Sequence, residues 1–226
     1  MIGISDYAEV LPIILEGFDI TISVLLGAIV IGYFVAFVAG FGRISKNPFV
    51  SKFTAIYVEI FRGTSLVVQL FWFYFVLPGL LGLDLTPFQS AMMAAILGIG
   101  LNYVAYMSEV VRGSILAVPK GQYEASTALN MSRWQRMRLV VFPQAVRMML
   151  PEFGNYAIQM LKATSLVYFI TLADMTYQAH SFAITHISAK IPLYIMLLVV
   201  YFIVALPLIG LTKWFERMAS KGVASE

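Results

Sequence analysis

The sequence predicts an all-α polytopic membrane protein of five transmembrane helices, amino terminus outside and carboxyl terminus inside. Three observations carry that prediction. Of the 226 residues, 60% are apolar and 12% charged, with a mean hydropathy of +0.85, more apolar surface than a soluble domain of this length can bury. The apolar residues gather into runs near or beyond eighteen, enough to cross a hydrocarbon core of about 30 Å. Lys and Arg cluster at alternate ends of those runs, which is how short loops set orientation.

Composition also excludes. The net charge of +3 and pI near 9.1 reflect basic residues beside spans and are no argument for nucleic acid. The absence of cysteine removes disulfides, thiolate metal sites and cysteine nucleophiles together. The amino terminus, MIGISDYAEV, is acidic where a cleaved signal peptide carries a basic region, so the first apolar run is expected to stay as a span. No GxxxxGK[ST], HExxH or GxSxG string occurs. The chain therefore lacks a P-loop for ATP phosphates and the common signatures of a membrane-embedded hydrolase.

The first span is read at residues 20–40, after a stretch holding Asp6, Glu9, Glu16 and Asp19 but no Lys or Arg. A short basic loop with Arg43, Lys46 and Lys52, turning at Asn47-Pro48, places its far end inside. The second span, 53–77, opens with Glu59 and Arg62. Three apart, they share a helix face and can pair, either inside the bundle or with Arg62 snorkelling to the interface.

Span three, 88–111, carries Asn102, Tyr106 and Glu109 on one face, which predicts a bundle-facing stripe. Its small residues Ala94, Ala95, Gly98 and Gly100 favour close helix approach. The fourth span, 144–170, is expected to be interrupted by Pro151. It has the most polar stripe of all: Glu152, Asn155, Gln159 and Lys162 fall within an arc of roughly 80° at about 100° per residue. Such a face suits a zwitterionic solute; the plainer alternative is that Glu152 and Lys162 neutralise one another or neighbouring spans. An outer loop, 171–190, holds His180 and His186 at a spacing that suits no shared metal. The fifth span, 191–211, precedes Lys213, Arg217 and Lys221. Twelve of the fifteen basic residues then lie inside, with Lys190 outside and Arg62 and Lys162 within spans.

Between the third and fourth spans lies a basic stretch, 119–143, that cannot span. From Gln122 to Leu129 it reads as a helix of about 12 Å, and Asn130 supplies the residue that ends it in a left-handed conformation. Ser132 is a fit N-cap for the next run, which carries Arg133, Arg136 and Arg138 up to Pro143.

Glu124-Ala125-Ser126, three residues, Asn130, nine residues, then Val140-x-Phe142-Pro143 resembles the EAA loop of binding-protein-dependent ABC importer permeases, EAA-x3-G-x9-I-x-L-P. The departures are Ser126, Asn130, Val140 and Phe142, each conservative in size or backbone permission. Glu59 to Leu66 is similar to the FRGTP(S)L segment of the polar amino acid branch of that family. Lys162-Ala-Thr164-Ser165-Leu166 is similar to its KxTSL segment, and Gly17-x-x-x-Thr21 fits more weakly. The segment FRGTSLVVQLFWFYFVLP is similar to that of the ectoine and hydroxyectoine importers.

The resemblance covers most of the chain and implies a single permease domain, 1–226, of type I importer architecture. It implies coupling through Gly121, Glu124, Ala125, Ser126, Asn130 and Pro143 to two cytoplasmic ATPase subunits, which bind ATP and Mg so that this chain holds no cofactor of its own. It further implies a second permease subunit, identical or a sister chain, an extracytoplasmic solute-binding protein and a bacterial inner-membrane location. The expected solute is a polar amino acid or related compatible solute, passing Asn102, Glu109, Glu152, Asn155, Gln159 and Lys162 by alternating access. An ion-gradient-driven transporter or channel could use the same carboxylates but has no need of such a loop.

Overall fold

The computed structural model of the chain describes residues 4–220; Lys221, counted above among the inner basic residues, lies outside them. Every element among the described residues is helical. A short helix α1 (Ile4–Leu15) leads through an elbow into α2 (Phe18–Arg43), and α3 (Pro48–Gly63) follows. α3 starts five residues before the expected span, at the turn read at Asn47-Pro48: the Asn47 side chain accepts from the Phe49 N–H at 3.0 Å and Pro48 occupies the first turn, where its missing N–H costs nothing.

The second expected span, 53–77, is not straight. α3 stops at Gly63, Thr64 is extended (φ −118°, ψ 153°), and the next helical rod, 66–81, departs at 107°. That rod consists of α4 (Leu66–Phe71), a π-helical turn at Trp72–Val76 and α5 (Leu77–Leu81). A break in an apolar environment strands backbone carbonyls, and they need donors from nearby side chains. Gln69 Nε2 donates to the Phe61 carbonyl at 3.0 Å and to Thr64 Oγ1 at 2.7 Å. Asn102 Nδ2 reaches the same carbonyl at 3.2 Å and Gln69 Oε1 at 3.1 Å. Two buried amides thus hold the bend.

α6 (Pro87–Ala117) begins with a capping box between Thr86 and Gln89 and is the central helix. α7 (Lys120–Ala128) and α8 (Arg133–Arg136) follow; a second π-helical turn, Met137–Val141, joins α8 to α9 (Phe142–Thr164). Both π turns end two residues before a proline, Pro78 and Pro143. The widened turn moves the carbonyl four residues back away from the pyrrolidine ring, so the helix continues where a regular turn would clash. Pro151 does not interrupt α9 either; packing on both sides holds the helix through one missing hydrogen bond. A 3-10 turn (Ser165–Ile170) precedes α10 (Met175–Thr185), which replaces most of the expected outer loop, and α11 (Lys190–Ser220) ends the described chain.

Among the described residues three stretches are long and apolar enough to cross a membrane, Val10–Arg43, Pro87–Ala117 and Ile187–Ala219, or up to five if each of two bent helix pairs counts as one span. α2 lies along α6, with Ala28 and Ala36 facing Ala94, Ala95 and Met107 in one buried core, and α9 packs between α6 and α11. Val30, Phe34, Leu198 and Phe202 are well exposed, as a surface solvated by lipid requires. At one end of the α2–α6 pair Glu109 binds Arg43 and Arg112, each at 2.8 Å.

At the other end, the elbow before α2 docks on the entry to α10. Thr21 Oγ1 donates to the Gly17 carbonyl at 3.0 Å and accepts from the Met175 N–H at 3.2 Å. Asp174, fully buried, caps α10 through the Tyr177 N–H at 2.9 Å and accepts from the Tyr201 hydroxyl at 3.2 Å. A Cβ at Gly17 would overlap the backbone of Asp174 and Met175, which accounts for the Gly17-x-x-x-Thr21 pattern. Gly17→Ala is therefore expected to destabilise the fold by about 1–3 kcal/mol through overpacking. Gly113→Ala, with nothing within 4 Å of the new atom, should be neutral or stabilise by up to about 1 kcal/mol. Thermal unfolding in detergent checks the contrast, and equal melting temperatures for the two variants would contradict it.

Candidate functional site

A cavity of about 380 Å³ opens where the last turns of α3 meet the middle of α6, lined by Val58, Glu59, Arg62, Gly63 and Tyr106. The Arg62 guanidinium lies 5.4 Å from the centre of the Tyr106 ring, a cation over an aromatic face. Behind it stand Tyr103 and Tyr156, with ring centres 6.0–6.3 Å apart from one another and from Tyr106. The expected Glu59–Arg62 pair is not formed: the helix spacing permits it, but Arg62 turns toward Tyr106 and leaves the exposed Glu59 carboxylate facing the cavity. The bend at Thr64 makes this cavity, because it ends α3 at Gly63 and opens the space beside Arg62.

On α9, Glu152, Asn155, Gln159 and Lys162 are all exposed, while Phe153, Gly154, Ala157, Met160 and Leu161 between them are buried. The stripe therefore points away from this subunit's own core. Glu152 and Lys162 stand about 15 Å apart along the helix, too far to neutralise one another. Tyr156, beside the stripe, lies within electrostatic reach of both Glu152 and Arg62, so stripe and cavity are neighbours.

Two expected solute-path residues take other roles. Asn102 is buried and bonded to Gln69 and to the Phe61 carbonyl, so it braces the bend behind the cavity. Glu109 is held by Arg43 and Arg112, three residues beyond Tyr106 on α6, and closes the α2–α6 contact. Both face inward as their periodicity requires, but the side chains they meet come from other helices. Tyr103 and Tyr156 escaped notice in the sequence; the signal was there in the i, i+3 pair Tyr103–Tyr106 and in Tyr156 one turn beyond Glu152.

The non-spanning stretch folds as two short helices at one end of the bundle. Asn130 takes φ 52°, the left-handed conformation its sequence position demanded, and Ser132 opens α8 with a capping box to Gln135. Glu124, Ala125, Asn130, Gly121 and Pro143 are exposed. Ser126 is not: it is 2% exposed, and its hydroxyl donates to the Tyr123 carbonyl at 2.8 Å. It sits on the inner face of α7, packed toward the bundle, unlike the exposed Glu124 and Ala125 beside it. The Tyr123 hydroxyl donates to the Ile115 carbonyl at 3.1 Å, and the Gln144 amide reaches Gln122 at 3.3 Å. α7 is thereby tied to the end of α6 and the start of α9. His180 Nδ1 lies 2.9 Å from the Tyr194 hydroxyl and His186 stacks on Phe182. Among the described residues no group of three or more His, Asp or Glu is placed to hold a metal ion.

Comparison with known proteins places this geometry. The chain is 44% identical over 221 residues to a protein of Sinorhizobium fredii named "Probable amino-acid ABC transporter permease protein y4tF", covering 96% of this chain and 90% of that one. It is 33% identical over 216 residues to the glutamate/aspartate import permease protein GltK of Escherichia coli, covering 94% and 96%. Its fold matches a chain in the crystal structure of an amino acid ABC transporter with histidines at a TM-score of 0.83 and 29% identity, covering 96% and 99%. Residues 10–221 match the family described as "Binding-protein-dependent transport system inner membrane component". The chain belongs to that family: it is the inner-membrane permease subunit of a binding-protein-dependent ABC importer, which works with a separate ATPase and a substrate-binding protein.

Proposed function

We propose that the chain carries amino acids or related zwitterionic solutes inward as one of two permease subunits, by alternating access driven by two cytoplasmic ATPase subunits. The observation that supports this most is a set of exposed polar side chains, four of them charged, that form no ion pair with one another along one surface: Glu59 and Arg62 at the cavity, then Glu152, Asn155, Gln159 and Lys162 on α9. Charges at membrane depth are costly unless they meet opposite charge or water, and this subunit does not supply the opposite charge. A zwitterion offers a carboxylate to Arg62 and an ammonium group to Glu59 or Glu152. A second permease subunit across a two-fold axis would close the open stripe. In this reading bent pairs count as single spans, giving five with the amino terminus outside.

Energy enters through the 119–143 stretch. Its exposed Glu124, Ala125 and Asn130 face the ATPase, and its ties to α6 and α9 lead to the two helices that carry Tyr106 and Glu152. From Arg133 to Thr164 the chain is helical without a break, so a push on α8 moves the solute stripe as a rod. ATP binding must favour one orientation by a differential free energy, about 5.5 kcal/mol for a swing from 1:99 to 99:1.

In proteoliposomes with the ATPase and binding protein, Glu59→Gln and Arg62→Met are each expected to lower uptake about 10- to 100-fold, the loss of a charged hydrogen bond, with the ATPase still co-purifying. Uptake at the wild-type rate in both variants would remove the cavity from the path. Asn130→Gly should keep the ATPase bound, since glycine accepts a positive φ freely. Asn130→Val, strained there, and Glu124→Trp should release it. Co-purification from the native membrane reads this out, and a wild-type chain that emerges without an ATPase would reduce α7 to an ordinary surface helix.

A further inference from the structure

The groove beneath α7 holds a charged side chain without a partner. Tyr123, Glu124, Thr127, Ala128 and Arg136 line this open groove of about 390 Å³. Arg136 leaves α8 and turns into this groove, where its Nε is buried and meets no acceptor. Glu124 lies on the same groove, yet no ion pair joins the two, whereas the carboxylate of Glu109 elsewhere in the chain binds two arginines. A guanidinium offers five donors and no acceptor, and it does not shed its charge. Partial burial without a carboxylate is therefore unfavourable in the isolated subunit.

The surroundings limit what can satisfy it. The 119–143 stretch has four basic residues, Lys120, Arg133, Arg136 and Arg138, against one acidic residue, Glu124, so the visiting group is negative. A phosphate headgroup would press against Glu124 as well as Arg136. A protein surface can place an acid beside Arg136 and a donor beside Glu124 at once. The groove also continues the exposed face of Glu124, Ala125 and Asn130.

We infer that Arg136 anchors the ATPase: a carboxylate of the ATPase subunit enters this groove and accepts a forked hydrogen bond from the guanidinium. This rests on the coupling reading above and adds to it a residue outside the loop's matching positions. The permease alone then carries an unsatisfied buried donor, and docking relieves it. Assembly becomes sensitive to salt, because the pair forms across a surface that water reaches before docking.

The test uses the full permease in nanodiscs, its ATPase subunit, and the variants Arg136→Met and Arg136→Lys. Affinity is measured at low and high salt, and the melting temperature is measured for the permease alone. Arg136→Met is expected to weaken binding about 10- to 100-fold and flatten the salt dependence, while the isolated permease melts no lower than wild type. Arg136→Lys should recover part of the affinity, since it keeps the charge and loses the fork. Wild-type affinity in Arg136→Met overturns the inference; if that variant instead loses bound anionic lipid, the groove is a headgroup site. A lower melting temperature for both variants in the isolated permease also overturns it, by marking a structural role. A wild-type permease that binds no ATPase at all would sink the coupling reading itself, and this inference with it.

Discussion

Hydrocarbon offers a backbone carbonyl no hydrogen bond, and that constraint organises this fold. Where the chain departs from a regular helix, nearby groups answer for those set free. The bend at Thr64 is answered by Gln69 and Asn102, two amides from different helices that meet at the Phe61 carbonyl. Pro78 and Pro143 are each preceded by a π-helical turn at the same offset, so the two rods continue through residues that would otherwise end them. The cavity follows from this. Only a braced bend lets α3 stop beside Tyr106 and present Glu59 and Arg62 to an opening.

The charges divide by the same logic. Glu109 is held by two arginines and closes an internal contact; Asp174 is buried, caps α10 and takes the Tyr201 hydroxyl. These are structural, and each has its partners within the subunit. Glu59, Glu152 and Lys162 are exposed on one connected surface without such partners. The two carboxylates packed inside the bundle find their partners within the subunit, whereas these three groups face outward.

Rigidity links that surface to the end of the bundle where α7 lies. The left-handed Asn130, the capping box at Ser132 and the unbroken helix to Thr164 leave little slack between the loop and the α9 stripe. Tyr123 and Gln122 fasten α7 to its neighbours by single hydrogen bonds.

The sequence by itself determined what depends on local periodicity and local backbone chemistry. The apolar runs, the single polar face of α9, the N-cap at Ser132 and the left-handed turn at Asn130 were all readable, because each depends on residues within a turn or two. Tertiary structure alone decided the partners. Arg62 could reach Glu59 along its own helix but lies over Tyr106, and Glu109 looked like part of a solute path until Arg43, 66 residues away, came to meet it. Helical spacing says which way a side chain points. What stands opposite depends on how distant helices pack, and so the bend at Thr64, the helix at 175–185 and the inward turn of Ser126 appeared only in the assembled fold.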